Sequence, residues 1–130
     1  MHFQKNEHYA LLFMGELARQ SGVERLSLTA ISRQHGVSLP FLNKIVRSLR
    51  ATGLVQSKEG IGGGYTLARK PETISLWEII YALDTTNREA ESVSTVCPVN
   101  NACLPQHIRS MVTQSIKERL EGISLQEVAQ

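Results

Sequence analysis

The chain has 130 residues, 42% of them hydrophobic and 20% charged, and a formal net charge of +2. That length suits one compact domain with an added oligomerisation arm. No apolar run approaches the roughly 20 residues of a membrane span, and two cysteines are too few for a disulfide scaffold, so the expected location is the cytoplasm. The charge is unevenly spread. Residues 1–70 carry ten Lys/Arg against four Asp/Glu, whereas residues 71–130 carry four against eight. A basic first half suggests a polyanion as partner, and an acidic second half would avoid one.

The start, "MHFQKNEHYALLFMGEL", has polar residues at helical spacing and no small-residue cleavage site, so it reads as a helix and not a signal peptide. That helix is expected over residues 6–20, with Tyr9, Leu12, Phe13 and Leu17 on its apolar stripe. Next, Ser27 suits the cap of a short helix with Leu28 and Ile31 on one face, and Gly36 suits its left-handed stop. Ser38 then suits the cap of a second helix, with Pro40 tolerated in the first turn. Leu42, Ile45, Val46 and Leu49 follow the i, i+3, i+4, i+7 rule and should face a core. Two short helices broken at a glycine form a helix-turn-helix pattern.

The runs "LVQSK" and "YTLA" are β-prone and flank "EGIGGG", whose glycines permit positive φ. A helix-turn-helix followed at once by a glycine-tipped hairpin is a winged helix. The expected fold is therefore mainly α: a winged helix-turn-helix over residues 1–72 with a small two-stranded wing, then sensor and dimerisation segments over residues 73–130. In the second unit Ser75 and Glu78 form a capping-box pattern opening a helix that runs to about Leu83. Residues 84–95 read as a polar loop. Pro105 marks the first turn of a long helix whose Ile108, Met111, Val112, Ser115, Ile116 and Leu120 make one mostly apolar stripe. So long a stripe on a peripheral helix predicts a partner helix, most economically in a homodimer. A second capping box, Ser124 with Glu127, opens a final turn of helix.

With its apolar residues turned inward, the second helix of the helix-turn-helix is expected to present Phe41, Asn43, Lys44, Arg47 and Arg50. Arg, Lys and Asn are the residue types that hold phosphates and read guanine and adenine edges. Ser38, Pro40 and Asn43 near the helix start would approach the groove, Arg47 and Arg50 would hold phosphates, and Lys58 on the wing would reach the flanking backbone. Double-stranded DNA is the predicted partner, with no small-molecule substrate. A winged helix used only for protein assembly is the alternative in another class, and it predicts no salt-dependent DNA affinity. Enzyme activity finds no support, because "GIGGGY" lies between hairpin strands and not ahead of a helix.

Both cysteines fall in "TVCPVNNACLPQH", residues 95–107. They are the only thiols in the chain. Cys103 precedes a helix start, where the macrodipole and free N–H groups favour a thiolate. The pair admits two readings: two ligands of a metal centre, or a reversible Cys97–Cys103 disulfide.

In the order "HYAL", "SLPFLNKIVRSLRATGLVQS", "GGGYTLARKP", "ISLWEIIYALD", a cysteine loop and "ISLQEVA", the chain resembles the Rrf-two family of bacterial winged-helix regulators. That family includes IscR-like and NsrR-like iron–sulfur sensors. The resemblance covers essentially the whole chain and implies a dimeric DNA-binding regulator, more readily a repressor than an activator, that senses redox state, nitric oxide or iron–sulfur status. It implies a cluster, most simply a 2Fe-2S cluster, held by Cys97 and Cys103 with His8 and His35 as the non-cysteine ligands. Glu7 and His107 are lower-ranked substitutes. Two departures stand out. Family members often carry Arg-Gly at the wing where this chain has Glu59-Gly60, and cluster-binding members commonly have three loop cysteines where this chain has two.

Overall fold

The computed structural model describes residues 5–20, 25–61, 63–91 and 104–129. The elements are helix α1 (Lys5–Arg19), α2 (Leu28–His35), α3 (Leu39–Ala51), strands β1 (Val55–Lys58) and β2 (Gly64–Leu67), then α4 (Leu76–Glu91), α5 (Leu104–Glu121) and α6 (Leu125–Val128), with a 3-10 turn at Pro71–Thr73. This is the mainly helical winged helix-turn-helix with a two-stranded antiparallel wing that the sequence predicts.

Helix α1 buries Ala10, Phe13, Met14, Leu17 and Ala18. The inward face is thus turned from the expected stripe: Tyr9 and Leu12 are only half-buried, and small Ala10 and Ala18 allow close approach of neighbouring helices. Ser27 and Ser38 stand at the N-caps of α2 and α3 in extended backbone, but neither hydroxyl makes a capping hydrogen bond. Gly36 ends α2 at φ 65°, the left-handed region where glycine has no Cβ penalty. In α3, Leu42, Ile45, Val46 and Leu49 are all buried, as their spacing requires.

In the wing, Val55 pairs with Leu67 and Lys58 with Gly64 across an antiparallel ladder. A further pairing, not expected from the sequence, extends it. Leu26 bridges to Tyr65, each N–H donating to the other's carbonyl at 3.0 and 2.9 Å. Leu26 stands just before the Ser27 cap and Ile31 four residues after it, the spacing of a hydrophobic staple, and both are buried in the core.

Helix α4 runs on to Glu91, beyond the expected end at Leu83, so residues 84–91 are helical and not loop. Asp84 to Asn87 have low intrinsic propensity, but Arg88 to Glu91 are good helix formers, and extending an existing helix costs far less than starting one. The buried cluster draws on both sides of residue 72: Phe13, Ile31, Leu42, Leu49 and Leu54 pack with Ile74, Ile79, Leu83, Leu125 and Ala129. Arg19 at the end of α1 donates through Nε to the Ala129 carbonyl at 3.4 Å. The final turn therefore folds back onto the first helix.

Candidate nucleic-acid interface

The inward face of α3 fixes its outward face. Because Leu42, Ile45, Val46, Ser48 and Leu49 are buried, Asn43, Lys44, Arg47 and Arg50 are left exposed along the other side. Ser38 and Pro40 are exposed at the start of the helix. Lys44, Arg47, Arg50 and Lys58 have no ion-pair partner among the described residues. Cations left without carboxylates on one face keep their charge available to an external anion. Lys58 closes β1 and is exposed, and so is Glu59 beside it.

Phe41 departs from the expected arrangement. It is half-buried against the core, not displayed with Asn43. Its ring meets Tyr9 edge-on with centroids 5.8 Å apart, and the Lys5 ammonium lies 5.0 Å from its centroid. The reason is helical geometry: position 41 lies one turn before Ile45 and so leans toward the same neighbours. Phe41 therefore ties the first turn of α3 to the N-terminal half of α1, a link that sequence spacing alone did not reveal.

The histidines are more dispersed. His8 is exposed on α1, with its ring edge-on to Tyr9 at 5.0 Å. His35 closes α2 and is half-buried, and its Nε2 is buried without a hydrogen-bond partner among the described residues. A buried imidazole nitrogen with no partner is costly in a finished fold, which makes His35 the described histidine best suited to an added ligand. Glu7 is half-buried in the first turn of α1 and takes part in an interaction there. His107 is exposed in the first turn of α5. Cys97 and Cys103 lie outside the described residues. Among the described residues, no three His, Cys, Asp or Glu side chains converge as a metal site within one protomer.

Helix α5 leaves Ile108, Met111 and Val112 exposed by 50%, 58% and 52%, while Ile116 and Leu120 toward its end are half-buried. No described helix is long and apolar enough to cross a membrane.

A family model described as "Rrf2: Iron-dependent Transcriptional regulator" matches residues 3–130. The chain is similar to the HTH-type transcriptional regulator IscR of Aliivibrio salmonicida, 33% identical over 127 residues that span 92% of this chain and 72% of the relative. Among solved structures it is similar to T. potens IscR, with a TM-score of 0.75 and 30% identity over 96% of this chain and 83% of the other. It is equally similar to CymR, the global cysteine regulator of B. subtilis, with a TM-score of 0.76 and 28% identity over 99% of this chain and 96% of the other.

Proposed function

Because the chain belongs to the Rrf2 family of transcriptional regulators, we propose that it is a cytoplasmic homodimer that binds double-stranded DNA through the outward face of α3 and the wing. One observation carries this reading. Lys44, Arg47 and Arg50 stand exposed, and without carboxylate partners among the described residues, on the second helix of a helix-turn-helix whose opposite face is buried. Asn43, with Ser38 and Pro40, lies at the end of α3 that approaches base edges in this motif, while Arg47, Arg50 and Lys58 take phosphates. Dimerisation through the Ile108–Met111–Val112 face of α5 would present two such helices to successive half-sites. Such a protein acts as a repressor when its site overlaps a promoter.

The finer reading is a 2Fe-2S cluster held by Cys97, Cys103, His8 and His35. The His35 Nε2, buried and unpartnered among the described residues, and the similarity to IscR proteins support it. Such a group, when bound, supplies a one-electron redox change and a target for nitric oxide. His35 and Gly36 directly precede the α3 segment, so a ligand on His35 bears on the position of the recognition helix. Similarity to CymR favours the second reading, a Cys97–Cys103 thiol switch on the same DNA-binding frame, with Cys103 as the more nucleophilic thiol.

The test is an ultraviolet–visible spectrum of protein purified without oxygen, with iron and acid-labile sulfide assayed on the same sample. Visible absorption with about two of each per chain supports the cluster. A colourless, iron-free protein that forms an intramolecular disulfide under mild oxidant supports the thiol switch.

A further inference from the structure

The tip of the wing is built to hold one apolar side chain out in solvent. Gly63 donates its N–H to the Gly60 carbonyl at 2.9 Å, closing a tight turn with Ile61 at its first corner. Ile61 is fully exposed. Its glycine frame is obligatory: Gly60 has φ 95°, and a Cβ on Gly63 would meet the Lys58 and Gly60 carbonyl oxygens at 2.5 and 2.7 Å. Those are backbone atoms of the same turn, so the clash cannot be relieved by moving a side chain. The strand that leaves the tip is held as firmly. Gly64, at φ 149°, passes the Leu26 carbonyl so closely that a Cβ would lie 2.9 Å from it, and Tyr65 packs its ring edge-on to buried Phe13 at 6.0 Å.

A lone exposed isoleucine needs no explanation on an ordinary surface. Here it caps a hairpin whose tip and returning strand are both fixed, and it follows two charges of opposite sign, Lys58 and Glu59. Glu59 bars the tip from working as a cationic probe of the negatively charged groove. An aliphatic residue suffers no such repulsion, and Ile is among the side chains that enter the minor groove as wedges against sugars and base steps.

We propose that Ile61 is a specificity-determining apolar contact of the wing, seated in the minor groove flanking the site read by α3. This rests on the DNA-binding reading above. It predicts discrimination by how easily the flanking step unstacks, with no gain from added positive charge at that position.

The experiment uses the full chain and the duplex that it enriches from a random-sequence library. Affinities for that duplex are measured across a salt series for the wild type, Ile61→Ser, Ile61→Leu and Lys58→Ala. Ile61→Ser should weaken binding about tenfold while leaving the slope of log affinity against log salt unchanged, because no counterion is released by an aliphatic contact. Ile61→Leu should retain most of the affinity, and Lys58→Ala should lower the slope by about one. An Ile61→Ser protein that binds within twofold of the wild type would overturn the proposal, as would one whose salt slope changes. A wild-type protein that enriches no duplex would instead overturn the DNA-binding reading, and this proposal with it.

Discussion

Ser75 and Ser124 lie opposite one another in an isolated antiparallel bridge that joins the starts of two helices 49 positions apart in sequence. The Leu76 N–H donates to the Ile123 carbonyl at 3.0 Å, and the Leu125 N–H donates to the Ile74 carbonyl at 2.8 Å. Each serine also belongs to a complete capping box, Ser75 with Glu78 and Ser124 with Glu127. The matching strings "ISLWE" and "ISLQE" thus start α4 and α6 in the same way, side by side. Ile74 and Leu125 are buried beneath the bridge, so the final turn of the chain is anchored to the segment that leaves the wing.

Glu78 gives this junction a pH dependence. Burial works to raise its carboxyl, but hydrogen bonds from Arg69 and the Ser75 backbone, the Arg69 charge and the Ser75 hydroxyl outweigh it and lower the group from its ordinary value. The Arg69–Glu78 pair is 2.7 Å long and well exposed, so its contribution is small, about 0.2–1 kcal/mol. A lowered folded value means that this stability is fully present above the unfolded value, about 4.3. It is lost as pH falls through the folded one. Thermal unfolding from pH 7 to pH 3 should therefore show a shallower acid decline for Glu78→Gln than for the wild type. Equal acid limbs would contradict this.

The core beneath the recognition helix sets a larger energy. Leu49 is completely buried in the hydrophobic core, and Leu49→Ala should cost about 2–5 kcal/mol in urea unfolding. By contrast, Arg47→Ala, on the exposed face of the same helix, should change stability by less than about 0.5 kcal/mol. A similar loss from both would mean that α3 is not seated as described.

The exposed stripe of α5 predicts an oligomer. Met111→Glu places a charge in the middle of the Ile108–Val112 face and should shift the protein from dimer to monomer in sedimentation equilibrium, with the helical circular dichroism retained. A wild type that is monomeric at high micromolar concentration would remove this basis for pairing the two recognition helices.

Much of this arrangement was legible in the sequence because it rests on local rules. The four apolar residues of α3 had one consistent spacing, Gly36 fell where a left-handed stop was needed, and both capping boxes were spelled out at the right interval. What was hidden depends on packing between distant segments. The spacing of α1 could not show that Ala10 and Ala18 would be buried ahead of Tyr9 and Leu12, because that choice belongs to the helices packed against it. Phe41 looked like part of the exposed basic face until its neighbours Tyr9 and Lys5 were in place. Polar residues 84–91 gave no apolar repeat to signal helix. For the candidate sensor, the family resemblance named His8 and His35, but only the fold distinguishes an exposed ring on α1 from one whose Nε2 is buried without a partner among the described residues.

The central claim is that the outward face of α3 binds DNA, and the salt dependence of affinity tests it most directly. The measurement compares the wild type with a Lys44→Ala, Arg47→Ala, Arg50→Ala variant on the duplex that the wild type enriches from a random library. The wild type should show a steep negative slope of log affinity against log salt, and the variant a slope reduced by about one for each phosphate-binding cation removed. Equal slopes and affinities for the two proteins, with folding intact in both, would contradict it.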